Sequence, residues 1–97
     1  MTVNGAIFEV SLSGELALKI KGLAKIAAAR GIKDKFVAAL EAIYRKLRHD
    51  PLNFGERSYE LQQFSCHIGA LGPIAVHFHV HHRLQLVFLA NAFLMND

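Results

Sequence analysis

The sequence predicts an α+β domain in the order β-α-α-β-β-β, with an αα-hairpin laid over one face of a sheet. Three observations carry this. Apolar residues recur with a helical period between Leu16 and Leu47, they alternate with a period of two on either side of that segment, and 97 residues that are 53% hydrophobic and 20% charged supply one core and not two. The expected unit is therefore a single domain over residues 1–97. Two prolines and seven glycines exclude a low-complexity or disordered chain.

The first strand is read from Phe8, Val10 and Leu12 alternating with Ile7, Glu9 and Ser11. Leu16, Ile20, Leu23 and Ala27 then follow at spacings of four, three and four, one stripe of a helix that Ser13 caps and Gly31 stops. Phe36, Leu40, Ile43 and Leu47 repeat the spacing in a second helix, which ends in a basic turn (Arg45, Lys46, Arg48, His49) before Pro51 forces Asp50 out of helical geometry. The short connection from Gly31 to Asp34 makes the helices antiparallel neighbours, and Ala24, Ala27 and Ala28 allow close approach. Beyond the hairpin, residues 52–58 read as a connection and residues 59–68 as a strand. Leu61 falls on the opposite parity from Phe64, Cys66 and Ile68, which predicts a bulge near Gln62 and Gln63. Residues 69–73 supply a turn into the strict alternation of Ile74 to His81. His82 and Arg83 turn the chain into a last strand, Leu84 to Ala90, apolar on both faces and so expected to be flanked or covered by another chain. With the tail as far as Met95 it predicts a homodimer.

A lone cysteine closes no internal disulfide, and the N-terminus lacks the pattern of a signal peptide, so a reducing cytoplasm is expected. The apolar stretch 84–95 is too short to cross a bilayer and is broken by Gln85 and Asn91; no membrane association is predicted. The net charge of +3 hides a gradient, since residues 19–48 hold nine of the eleven Lys and Arg side chains against only Asp34 and Glu41. Such a segment suits nucleic acid or an acidic protein, with Lys33, Arg45, Lys46 and Arg48, joined by Arg83, as candidate contacts; it equally describes helices with lysine-rich solvent faces.

Histidine is the other concentration. His77, His79 and His81 fall on one side of a strand, about 7 Å apart, with Phe78 and Val80 turned toward the helices. The ladder admits three readings: polar residues on the open side of a sheet, a metal site completed by His67 or Cys66, or acid–base catalysts that titrate near neutrality. No cofactor is predicted, because Gly69 to Pro73 precedes a strand and not the helix a phosphate loop requires. Cys66 reads as a small buried thiol, and Ser65 beside a histidine is too generic for a hydrolase.

Taken in order, the N-terminal strand, the basic hairpin ending in Ala38-Ala39-Leu40-Glu41-Ala42-Ile43, the segments Leu47-Arg48-His49-Asp50-Pro51 and Phe54-Gly55-Glu56, the Gly-Pro turn and the strand Val76-His77-Phe78-His79-Val80 resemble the RelE/ParE superfamily of bacterial toxins. The resemblance implies a small, mostly antiparallel sheet, an antitoxin protein as partner, a role of the plasmid-stabilisation type, and either ribosome-dependent mRNA cleavage or gyrase inhibition. Metal-independent RNA cleavage needs a base for the 2′-hydroxyl, cations at the phosphorane and an acid for the leaving oxygen. The resemblance assigns these roles to Arg57 and Tyr59 after the hairpin, to His67 where such nucleases usually carry arginine, and to His79 and His81 on the following strand. The tail from Leu89 to Met95 lacks the Tyr or His that the family pattern places there.

Overall fold

The computed structural model describes residues 7–60 and 64–95, without the side chains of 58–60 and 64. Strand β1 (Glu9–Leu12) leads into helices α1 (Gly14–Ala29) and α2 (Lys33–His49) and a single 3-10 turn at Pro51–Asn53. Strands β2 (Glu56–Glu60), β3 (Phe64–Leu71), β4 (Ile74–His81) and β5 (Leu86–Leu94) follow. They form one five-stranded sheet in the order β1-β5-β4-β3-β2. Only the β1–β5 pair is parallel; the other three pairs are antiparallel.

The hairpin forms as its sequence dictates. Ser13 Oγ accepts the Leu16 N–H at 3.1 Å, capping α1. At the other end Gly31 takes φ of 77°, and the Ile32 N–H reaches back to the Ala27 carbonyl at 2.9 Å, the closure that a left-handed residue past a helix end permits. Asp50 leaves helical geometry (φ −155°, ψ 56°) ahead of Pro51. Leu16 and Ala27 of α1 and Phe36, Ala39, Ile43 and Leu47 of α2 are buried against Ile74, Val76, Phe78, Val80 and Val87 of the sheet in one core. Leu40, expected in the centre of that stripe, is half-buried on its flank, because Ala39 takes the position facing the sheet.

The α+β class and the covering hairpin hold, with one strand more than the sequence reading gave. The expected strand over 59–68 is two strands: β2 starts at Glu56, inside the expected connection, and pairs back antiparallel on β3 with Glu60 opposite Ser65. The parity change in the sequence is thus a change of strand. The bulge expected at Gln62 and Gln63 lies outside the described residues; the register slips instead between Arg57 and Tyr59, and again in β5 opposite His77 and Phe78. The turn expected over 69–73 shrinks to Gly72 and Pro73, and the turn after β4 runs on to Gln85. Residues 91–94, read as tail, continue β5, because Ala92 and Leu94 fall opposite Val76 and Ile74 on the buried face. Strand β5 lies between β1 and β4, so both its edges are paired over residues 86–89, while Phe88 and Phe93 stay exposed on the outer face.

One close approach locks the end of the hairpin to the sheet. The Phe54 ring lies on Gly69 of β3, where a Cβ would stand 2.6 Å from it, and stacks on Phe78 with centroids 5.7 Å apart. Ile43→Ala is expected to lower unfolding free energy by about 2–5 kcal/mol and Leu40→Ala by about 1–2 kcal/mol, the difference following burial. Chemical denaturation checks the order; equal losses would place Leu40 in the core after all.

Candidate functional site

The pleat of β4 sorts its side chains. Ile74, Val76, Phe78 and Val80 are buried toward the hairpin, whereas Ala75, His77, His79 and His81 are half-buried on the outer face, which no helix covers. Cross-strand register assembles rows on that face. His79 lies between Cys66 of β3 and Phe88 of β5, His77 between Ile68 and Asn91, and His81 between Phe64 and Leu86. Tyr59 stands opposite Cys66 in backbone register, so the His79 row reaches edge strand β2; its side chain lies outside the described ones. Phe88 is 46% exposed and Phe93 38%, so aromatic surface adjoins the imidazoles. His81 Nδ1 accepts the Leu84 N–H at 3.2 Å, which places the proton of the neutral ring on Nε2.

His67 is elsewhere. It is paired with Phe78, so its ring points to the hairpin side, 1% exposed and stacked on Phe78 with centroids 5.0 Å apart. Its Nε2 lies 2.7 Å from Ser65 Oγ, which is also 3.2 Å from His82 Nε2. A serine hydroxyl between two imidazoles has the composition of a nucleophile and its base, but Ser65 is fully buried, and no substrate carbonyl or phosphate reaches it. The chain His67–Ser65–His82 therefore ties the β4–β5 turn to the core. The expectation that His67 would act on substrate fails on this burial: the strand parity that brings His79 outward turns His67 inward. Cys66, by contrast, is the buried free thiol its sequence context suggested.

The cations separate into groups. Arg57 is exposed on edge strand β2, opposite His67 in register. The end of α2 meets β1, since the Phe8 N–H donates to the Arg48 carbonyl at 2.7 Å, and β1 meets the β4–β5 turn through the Glu9 N–H and the Gln85 carbonyl at 2.9 Å. Arg45, Lys46, Arg48 and Arg83 accordingly belong to one end of the molecule. Lys33 starts α2 at the opposite end, and near it Lys35 and Ala39 line a depression with Gly72 and Pro73.

Among the described residues no three His, Cys, Asp or Glu side chains come together to hold a metal ion, the histidine ladder included. One contact of the basic segment was not foreseen in the sequence. Lys19 of α1 donates to Asn91 Oδ1 at 2.6 Å and lies 4.6 Å from the centre of the Phe93 ring, which also meets His77 edge-on at 5.2 Å. Nothing in the sequence marks a contact between residues 72 positions apart.

The sequence matches no family model and no curated protein. Its fold does find a counterpart. A chain of the crystal structure of the archaeal RelE–RelB complex from Pyrococcus horikoshii OT3 superposes with a TM-score of 0.69 over 94% of this chain and 98% of that one, at 12% sequence identity. The chain thus has a RelE-like fold, as its order of elements suggested. No helix among the described residues is long and apolar enough to cross a membrane.

Ser65→Ala removes the hydroxyl bonded to the buried His67 Nε2 and is expected to cost about 1–3 kcal/mol of stability. Thermal unfolding measures it. An unchanged melting temperature would show that the hydroxyl does not tie the turn to the core.

Proposed function

We propose that this chain is the toxin-type module of a toxin–antitoxin pair and that it cleaves RNA on the outer face of its sheet. The observation that carries the reading is the line of His77, His79 and His81 on the uncovered face of a RelE-like fold. In the proposed reaction one imidazole, His79, removes the 2′-hydroxyl proton and the 2′-oxygen attacks the adjacent phosphorus. The 5′-oxygen leaves with the proton of a His81 imidazolium, a form in which Nδ1 no longer accepts the Leu84 N–H, giving a cyclic phosphate and a 5′-hydroxyl. No water or metal is consumed. Arg57 and Tyr59 on edge strand β2 are proposed to contact the same substrate, and the basic end at Arg45, Lys46, Arg48 and Arg83, with Lys33 apart from it, to hold the flanking phosphates of mRNA on the ribosome.

The antitoxin partner in this reading has a place on the opposite side. Val10 and Leu12 of β1, Ile20 of α1, Leu40 and Tyr44 of α2 and Leu89 of β5 line an open apolar groove of about 500 Å³. Glu41 and Arg45 on its rim suit an amphipathic segment with charged flanks. The setting proposed with it is cytoplasmic, where ribosomes and a reduced Cys66 coexist.

A second reading, a non-catalytic module that pairs with a copy of itself, draws on the exposed aromatic surface at Phe88 and Phe93. Gyrase inhibition, the other branch of the superfamily, would need no histidine chemistry. Induced expression without a partner gene is expected to arrest growth and cut mRNA at codon-defined positions, and His79→Ala or His81→Ala to restore growth by slowing cleavage roughly 100-fold or more at unchanged soluble yield. Primer extension on total RNA reads the cuts. Normal growth with abundant soluble protein sinks the nuclease. Light scattering then separates the remainder: a mass of two chains that Phe88→Lys returns to one assigns the face to self-association.

A further inference from the structure

The histidine face has acids and bases but no arginine among its rows, and a phosphorane needs a cation. The open flank of β5 supplies one. Strand β1 pairs with β5 only from Leu86 to Leu89, so beyond that point β5 has no strand on that side. Helix α1 starts two residues after β1 ends and passes the flank. From there Lys19, a residue of the layer that covers the inner face, reaches Asn91 and Phe93, whose register partners His77 and Ala75 belong to the outer face.

The hydrogen bonds define what this corner offers a ligand. Asn91 Oδ1 accepts from both Lys19 Nζ and the Ala92 N–H at 2.9 Å, so its two lone pairs are used and the amide orientation is set. Its Nδ2 is left as a donor. The Lys19 ammonium has three N–H bonds and gives one to Asn91; among the described residues no carboxylate lies within ion-pair distance of it. The Phe93 ring beneath holds the ammonium in place through its π face, and His77 packs against that ring. Two kinds of N–H donor thus lie beside the first histidine of the ladder; Ser13 and Glu15 line the same depression, but Glu15 makes no ion pair with Lys19. An ammonium and an amide N–H with unused donor capacity recognise an oxyanion.

We propose that Lys19 and Asn91, held by Phe93 and His77, form a phosphodiester subsite for single-stranded RNA at the open flank of β5. The subsite rests on the RNA-directed reading above and adds to it the cation that the rows of the sheet lack. Phe93 is a positioning residue, acting through Lys19. An RNA strand with one phosphate here runs from the flank across His77 toward His79, which orders the substrate along β4.

The test uses the full chain and a short fluorescein-labelled oligoadenylate RNA, with binding followed by anisotropy over a range of salt. Lys19→Gln is expected to weaken binding roughly fivefold and to make the log–log salt dependence shallower by about 0.7, the signature of one lost phosphate contact on a single strand. Asn91→Asp, which sets a carboxylate on the ammonium, should do the same, while Lys19→Arg keeps the slope. Lys25→Gln, on the same helix away from the flank, should stay within about twofold. Melting curves of each variant confirm that the fold is intact. A Lys19→Gln protein with the parent's affinity and slope overturns the subsite even if growth arrest and mRNA cleavage persist, and reduces Lys19 to a clamp that shields the strand edge. If the unaltered chain binds no RNA, subsite and RNA reading fall together.

Discussion

The pleat of β4 divides this molecule in two. Four side chains, Ile74, Val76, Phe78 and Val80, are buried under a hairpin that has no other apolar surface of comparable size to cover. Because side chains alternate strictly along a strand, that burial dictates that the residues between them face away, and three of these are histidines. A slip of one residue in register would bury three imidazoles and expose the core. The chemistry of the outer face is thus specified by the hydrophobic effect on the inner one, and the histidines need no dedicated scaffold.

The end of the sheet beside β2 depends on a different contact. Phe54, His67 and Phe78 form a stack of rings, with both His67 and Phe54 against Phe78, and Gly69 makes room for the first of them. A histidine in that stack is costly unless its nitrogens are bonded, and Ser65 meets one of them. Ser65 in turn reaches His82, so the turn that carries Arg83 is anchored in the core while its basic side chain stays exposed. Rigid placement of a loop charge by a buried polar chain is how loops acquire function on a stable scaffold.

Much of this was legible in the residues. The helical stripes, the Ser13 cap, the Gly31 stop and the alternation of β4 are local patterns, and local patterns survive folding wherever tertiary packing agrees with them. The β2–β3 hairpin was missed because neither Gly nor Pro punctuates residues 56–68, and a change of parity reads as a bulge when no turn residue marks it. The continuation of β5 was missed because Asn91 interrupts an apolar run, although its amide serves the free edge of that strand. For the site, the histidine ladder was read with the right face, whereas His67 was not: its parity follows from a strand start at Phe64 that the sequence does not announce. Lys19 was beyond reach, since its role exists only once α1 lies beside β5.

The parallel pairing of β1 with β5 has a consequence for how such a chain is made. The hairpin and strands β2 to β4 assemble from contacts between near neighbours, but Glu9 must wait for Leu86. Ribosomes therefore release β1 long before the strand that joins it to β4, and until β5 emerges the outer face lacks its Phe88 and Asn91 rows. Long-range closure of this kind is slow and leaves intermediates with open sheet edges. Late insertion of the second strand in the sheet thus decides when the outer face is complete, because the Phe88 and Asn91 rows come last.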